Sequence, residues 1–356
     1  MKKFNNIYIA SLVLVISIII FSLSIFKFSI SEVSNSSDKK SVVINKGSIS
    51  SISEVLKKND LIKSKFFFKL YVYITGNKNL KAATYSLSED MGVKRIVSIL
   101  SGNDGINSSE IVITFKEGIN MRDIASIINK NTSNSEDDVY SLLNDKDYLN
   151  SLISKYWFLT DDILDDNIYY PLEGYLYPNT YSFSSKDVSV KDIFKKMLDE
   201  EDKKLSTYKS DIENSKKSVH SIITMASIVE LEGSSLDDRK GIASVFYNRL
   251  NSSMNLGSDV TTYYGIKVNM GERDLTSSEL SECNSYNTRC ATFKKLPVGP
   301  ICNPSIESIN ASINPIHSNY YYFVADKNKK IYFSRNSKEH LNTISDLKSN
   351  GLWFTY

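Results

Sequence analysis

The stretch TMASIVELEGSS, residues 224–235, decides how the chain is read, because an almost wholly apolar run ends abruptly in Glu230 and Glu232. At ~100° per residue, Ile223, Ala226 and Glu230 share one stripe of a helix, so the spacing puts Glu230 on the face expected to be buried. Glu232 projects ~160° away by the same geometry, and the two cannot serve one site as a pair while the helix stays regular. A carboxyl group in apolar surroundings has its charged form disfavoured, and the negative end of the helix dipole acts in the same direction. Glu230 therefore reads as a candidate general acid that holds a proton until it donates it. The structural alternative is a glutamate paired with Arg239 or capping nearby backbone.

Outward from that helix, the chain organises into alternating patterns. Residues 41–64, SVVINKGSISSISEVLKKNDLIKS, show a β-branched strand, a Gly turn and a helix with Ile52, Val55 and Leu56 at helical spacing. Residues 81–104 predict another strand and helix, ended by Gly102. Residues 111–130 repeat the recipe, with alternating Ile111, Ile113 and Phe115, a turn at Gly118, and a helix through Ile124, Ile127 and Ile128. Helical spacing continues through Val139, Leu142, Leu143 and Tyr148. PLEGYLYPNTYSF, residues 171–183, is a loop-like block rich in aromatic residues. DIFKKMLDEEDKKLSTY, residues 192–208, is helical, and the chain ends in strands at 320–326 and 331–334 around the turn-like DKNKK.

A composition of 41% hydrophobic and 24% charged residues over 356 positions suits two or three folded units. Net charge is +2, and without Lys2, Lys3 and Lys27 the basic count falls to 40 against 41 acidic residues. The near-neutral body lacks the basic face that nucleic acid requires, so no nucleic-acid partner is expected. Ile7 to Phe26 is uncharged, and roughly 20 helical residues match the hydrocarbon core of a bilayer. The run is longer than a signal-peptide core and no A-x-A cleavage site follows it, which favours a retained anchor. Lys2 and Lys3 place the N-terminus in the cytoplasm and the rest outside it. SEVSNSSDKKS, residues 31–41, has the composition of a spacer.

Cys283, Cys290 and Cys302 cluster in the exported part; either one pair is bridged, leaving an odd thiol, or all three are unpaired. No zinc motif accompanies them, and His220, His317 and His340 are too scattered for a local metal site. His220 reads as packed, the other two as surface or loop residues. Neither a metal nor a cofactor is expected, and the motifs of nucleophile-elbow hydrolases, zincins and phosphate-binding loops are absent from the sequence.

Residues 226–265, then SYNTR (285–289), 296–326 and FSRNSKEH (333–340), together with PLEGYLYPNTYSF upstream, resemble in order and spacing the endolytic murein transglycosylase family called MltG or YceG-like. The resemblance covers about residues 41 to 350 and is most specific from Pro171 onward. It implies an α+β chain: a cytoplasmic tail (1–6), a single transmembrane helix (7–28), a linker (29–40), a LysM-like βα module (41–110), a second βα module (111–165) and a mixed α/β catalytic domain (166–356). Where the family typically has L-Q-S-D-P-T this chain has LGSDVT, with Gly257 for Gln and Val260 for Pro, and G-L-P-P-G-P becomes KLPVGP.

By that resemblance Glu230, the glutamate of A-S-I-V-E, is the catalytic acid. Glu173, Asn248, Ser258, Asp259, Tyr286 and Asn287 fall in motifs expected to bind the glycan. Two carboxylates normally flank a bond that is hydrolysed. One glutamate suffices for a lytic transglycosylase, whose substrate closes its own C6 hydroxyl onto C1 as a 1,6-anhydro ring. The implied substrate is the MurNAc–GlcNAc β-1,4 bond of nascent peptidoglycan, cut so as to end glycan elongation at the membrane. Cell-wall synthases (penicillin-binding proteins) are the further implied partners. Asp259 is the one candidate for a second acid, which would restore a hydrolase. The competing class is a non-catalytic wall-binding scaffold for those synthases.

Overall fold

A computed structural model describes residues 2–102, 111–183 and 185–353, with side-chain surroundings described from residue 13 onward except at Ser41 and Thr84. Two compact units divide the chain, Met1–Glu110 and Ile111–Tyr356. The first begins with helix α1 (Lys2–Ile30), long and apolar enough over Val13–Ile30 to cross a membrane. Strand β1 (Lys40–Ile44), helices α2 (Ile49–Lys58) and α3 (Lys65–Thr75), strand β2 (Ala83–Leu87) and helix α4 (Val93–Ser101) follow. β1 and β2 pair antiparallel with Val42 opposite Tyr85, and these inward residues join Leu56, Phe68, Val72 and Ile96 in one core. Gly102 takes the left-handed conformation that closes α4, as its position predicts.

Two features of this unit escape the sequence patterns. Helix α3, KFFFKLYVYIT, carries aromatic and aliphatic side chains on its exposed face as well as on the face that buries Phe68 and Val72, which masks the usual contrast. The polar segment after α1, expected as a free spacer, is fastened: Val33 N–H donates to Glu89 O (2.9 Å), Ser34 Oγ to Glu89 Oε2 (2.7 Å) and Asp90 N–H to Ser36 O (3.1 Å). Its serines satisfy backbone instead of staying in water.

The second unit opens with β3 (Ile111–Thr114), α5 (Met121–Asn131), α6 (Glu136–Leu143) and α7 (Lys146–Lys155), the last two separated by Asn144 and Asp145 where the sequence spacing runs on unbroken. β4 (Thr180–Phe183), the end of the aromatic block expected as a loop, pairs antiparallel with β3, Ile113 facing Tyr181. The strand of the expected second βα module is thus completed by a strand from beyond it. Helices α8 (Val190–Leu205), α9 (Lys209–Ser215), α10 (Val219–Glu232), α11 (Leu236–Asn251), α12 (Asp259–Gly265), α13 (Ser277–Ser281) and α14 (Ile306–Ile313) precede the hairpin β5 (Tyr322–Ala325) and β6 (Ile331–Ser334). A further helix, α15 (Ser337–Ser349), capped by Asn336, stands where the sequence reading had the chain end in strands.

Helix α10 is buried on every side from Ile222 to Val229. Ile222, Ile223 and Ala226 pack with Phe158, Tyr175 and Phe194, while Met225, Ile228 and Val229 pack with Ile242, Phe246 and Tyr286. The single buried stripe inferred from spacing is therefore replaced by two cores with one helix between them. Cys283 and Cys290 are bridged (Cα–Cα 5.2 Å) and Cys302 is a free, buried thiol, which resolves the two cysteine alternatives.

Gly174 lies at φ +87°, and a Cβ there would meet Pro300 Cβ at 2.4 Å and Ile223 Cγ2 at 2.9 Å. Gly174→Ala is expected to cost about 2 kcal/mol or more through backbone strain and this clash, read as a lowered denaturation midpoint. An unchanged midpoint would show that the loop relaxes freely.

Candidate active site

Because α10 is sandwiched between two cores, its C-terminal turn is held in one place, and Glu230 projects from it into a polar seat. Glu230 Oε1 accepts from Arg239 Nη2 at 2.9 Å. Glu230 Oε2 accepts from the Ser305 N–H (2.9 Å), Ser305 Oγ (2.6 Å) and Ser308 Oγ (2.6 Å). Only 6% of the Glu230 side chain and 10% of that of Arg239 are exposed. Ser305 is the N-cap of α14, so the positive end of α14 faces the negative end of α10 across this carboxyl group. The apolar surroundings inferred from sequence are thus a cradle of donors, and the Arg239 pairing posed as the structural alternative is present. A pairing and a proton-transfer role do not exclude each other.

Arg239 has other work. Its Nε donates to Gly233 O (3.3 Å) and its Nη1 to Ser305 Oγ (3.2 Å) and Glu307 Oε2 (3.1 Å). Glu307 is largely exposed, so that contact contributes little by itself. The loop after β3 closes another side of the seat: a Cβ on Gly118 (φ +77°) would lie 3.3 Å from Leu231 Cδ2 and 3.7 Å from Glu230 Cγ. Next to it, Glu117 keeps much of its surface open, yet partial desolvation and then the charge of Glu230 raise its carboxyl above the usual range. A second carboxyl group therefore stands within electrostatic reach of Glu230, and it comes from a segment far upstream in sequence.

Asn303 joins the loops that frame the seat. Its Oδ1 accepts from the Gly174 and Leu176 N–H groups (3.1 and 2.9 Å) and its Nδ2 donates to Ile119 O and Glu173 Oε1 (both 3.1 Å). Glu173 itself is 1% exposed and accepts from the Met121 N–H (2.8 Å) and Tyr264 O–H (3.0 Å) at its other oxygen. Burial pushes the Glu173 carboxyl up to about 8, against the opposing pull of those hydrogen bonds.

The remaining expected residues gather elsewhere. Ser258 Oγ donates to Glu232 Oε1 at 2.6 Å, and burial raises Glu232 while that hydrogen bond opposes it. Asp259 is exposed and paired with Arg289. Tyr286 and Asn287 are fully buried; Tyr286 Oη accepts from the Tyr169 N–H, and Asn287 accepts from Thr262 Oγ1 (2.7 Å) and Arg289 N–H (2.9 Å). Asn248 Nδ2 donates to Ser318 O and Tyr320 O at 3.0 and 2.9 Å, tying α11 to the approach to β5. His220 bridges Tyr175 Oη and Val298 O, both at 2.8 Å, and is packed as expected.

The sequence reading assigned no role to Ser305, Ser308, Asn303 or Glu117. Ser305 caps α14 and Ser308 follows one turn on, a pattern of local spacing that does not say whose carboxyl group it receives.

A family described as the YceG-like family matches residues 42–346. An endolytic murein transglycosylase from Bacillus subtilis (strain 168) is 37% identical over 294 residues, covering 82% of this chain and 80% of that one. One from Streptococcus pneumoniae (serotype 2, strain D39) is 29% identical over 327 residues, covering 88% of this chain and 59% of the relative. Among solved structures, a putative yceG-like protein from Listeria monocytogenes is similar at 36% identity and a TM-score of 0.62, covering 86% of this chain and all of that one.

The raised Glu173 sets a pH dependence. Its neutral form suits the folded state, so its contribution is complete below the unfolded carboxylate range and is lost as pH rises through about 8. Chemical denaturation from pH 5 to 9 should show falling stability, with a shallower fall in Glu173→Gln. Equal slopes would remove Glu173 as the cause.

Proposed function

Because the chain belongs to the YceG-like family, we propose that it is an endolytic lytic transglycosylase that cuts MurNAc–GlcNAc β-1,4 bonds within peptidoglycan strands, with Glu230 as the catalytic acid and base. The observation that carries this reading is the seat of Glu230. A carboxyl group at the end of a helix locked between two cores has its oxygens in distinct surroundings. Oε2 is saturated by three donors and fixes the group. Oε1 has the single Arg239 contact and is the oxygen left to work.

In the proposed step Glu230 gives its proton to the glycosidic oxygen as the C1–O bond breaks. The C6 hydroxyl oxygen of the same MurNAc bonds to C1, and its proton returns to the Glu230 carboxylate. No water is consumed, and the acid is regenerated. Arg239, Ser305 and Ser308 stabilise the carboxylate present between the two transfers, where charge-assisted hydrogen bonds count most. Arg239 can hold Glu307 while Oε1 turns to the substrate.

We place the chain as a single-pass membrane protein with a cytoplasmic N-terminus, ending glycan elongation near penicillin-binding proteins. α1 supports the anchor by length and composition. Two antiparallel strands enclosing two helices, β1-α2-α3-β2, support a LysM-like role for residues 41–110 in holding glycan. The segment 111–165 stays a proposed second module beside the catalytic domain 166–356. Ser258, Asp259, Asn248, Glu173, Tyr286 and Asn287 stay proposed as determinants of glycan binding. For the buried members, Glu173, Ser258, Tyr286 and Asn287, this acts through the neighbours they hold in place.

Glu230→Gln should abolish cleavage of glycan strands, whereas Glu232→Gln should retain it. Since Glu230 also braces α14 through Arg239 and the serines, some loss of thermal stability is expected, and activity must be compared well below both midpoints. Cleavage by Glu230→Gln at the unmodified rate would sink the assignment, and loss only in Glu232→Gln would move it by one helix face.

A further inference from the structure

We propose that the outer face of α3 is a lipid-docking surface that seats the first unit on the bilayer from which α1 emerges. This rests on the reading of α1 as a membrane span and is independent of the glycan chemistry. On α3, Phe68 and Val72 point into the core. At ~100° per residue the opposite face carries Phe66, Phe67, Leu70, Tyr73 and Ile74. Phe66, Tyr73 and Ile74 are 63%, 57% and 68% exposed. Single exposed apolar side chains are ordinary, but here three exposed ones, Phe66, Tyr73 and Ile74, stand with the half-buried Phe67 and Leu70 on one face of an 11-residue helix and form an apolar patch.

The occupant follows from what this patch adjoins. Phe67 meets Phe26 of α1 edge to face, with ring centroids 6.0 Å apart, and Phe66 continues the cluster at 5.2 Å from Phe67. Lys63, just before α3, lies over the Phe28 ring at 4.2 Å and donates to Ser31 Oγ at 2.8 Å. The backbone bonds of Val33 and Asp90 to the facing turn leave no slack after α1. The patch is therefore continuous with the last turns of the apolar helix and is held there. Where α1 leaves the hydrocarbon, the α3 face lies at the headgroup boundary.

Its composition fits that depth. Aromatic and aliphatic side chains form the centre, and lysines lie at both ends: Lys63 before the helix, and Lys78 beyond it with Nζ 5.2 Å from the Tyr73 ring centroid. Amphipathic rings and snorkelling lysines are the side chains that partition into the interface. A second protein could cover the patch only by competing with the bilayer already at its edge.

The test reconstitutes the full chain in phosphatidylcholine/phosphatidylglycerol vesicles, with or without brominated acyl chains, and reads tryptophan emission. Phe66→Trp and Ile74→Trp place an indole on the face, and both sites are exposed, so neither should disturb the core. Val43→Trp is the control: Val42 and Ile44 point into the core, so Val43 lies on the opposite face of the sheet. After subtraction of the unmodified chain, the two α3 variants should be blue-shifted and quenched by bromolipid, and the Val43 variant neither. Water-like emission from both α3 variants would overturn the proposal. Blue-shifted emission without bromolipid quenching would overturn it in favour of a protein cover, including a second copy. Equal quenching at Val43 would reduce it to general adhesion. Alkaline extraction of the unmodified chain checks the anchor separately: release from vesicles would remove the span and this surface together, while glycan cleavage is scored on its own.

Discussion

The meeting of two helix ends at one carboxyl group is the constraint on which the second unit depends. The C-terminal turn of α10 and the N-terminal turn of α14 converge on Glu230, which takes three hydrogen bonds from Ser305 and Ser308 and one from Arg239. Alone, a carboxyl group at a helix C-terminus is opposed by that helix's dipole, and here the N-terminus of a second helix offsets it. Removing the carboxyl group would leave Arg239 and two serines short of an acceptor. The contact that fixes α14 against α10 and α11 thus runs through the same carboxyl group that the proposed reaction uses.

Around it the loops are joined by side chains rather than by sheet. Among the described residues of the second unit the two sheets are short and two-stranded, and the bonds to the Glu230 carboxyl group come from Arg239, Ser305 and Ser308 outside them. Asn303 joins the loops, bonding Ile119 O in the loop after β3 on one side and the Gly174 and Leu176 N–H groups on the other. Glu173 completes the brace by receiving Met121, Tyr264 and Asn303 in a buried position. A polar network of this kind specifies one arrangement because each member is satisfied only there.

Much of the fold was legible where one local signal dominated. β1, α2, α4 and α5 follow from alternation, helical spacing and glycine stops, and the apolar run of α1 from its length. The helix α3 was missed because it is apolar on both faces, and periodicity reports only a contrast between faces. β4 was read as loop because its pairing partner, β3, lies some seventy positions earlier. At the site, Glu230 was legible as an abrupt charge after an apolar run, but its surroundings were not. Arg239 was a plausible neighbour on the next helix, whereas Ser305, Ser308 and Glu117 come from distant segments that only tertiary packing brings together. The same limit applies to Tyr286 and Asn287: their motif was visible, and their burial was not.

The central claim is that one carboxyl group, Glu230, performs both proton transfers of an intramolecular ring closure. The most direct measurement is mass spectrometry of the glycan ends released when the full chain acts on uncrosslinked peptidoglycan strands. The account predicts ends one water lighter than a reducing MurNAc. Ordinary reducing ends would contradict it, because water would then be the acceptor and a second carboxyl group would be needed as the base.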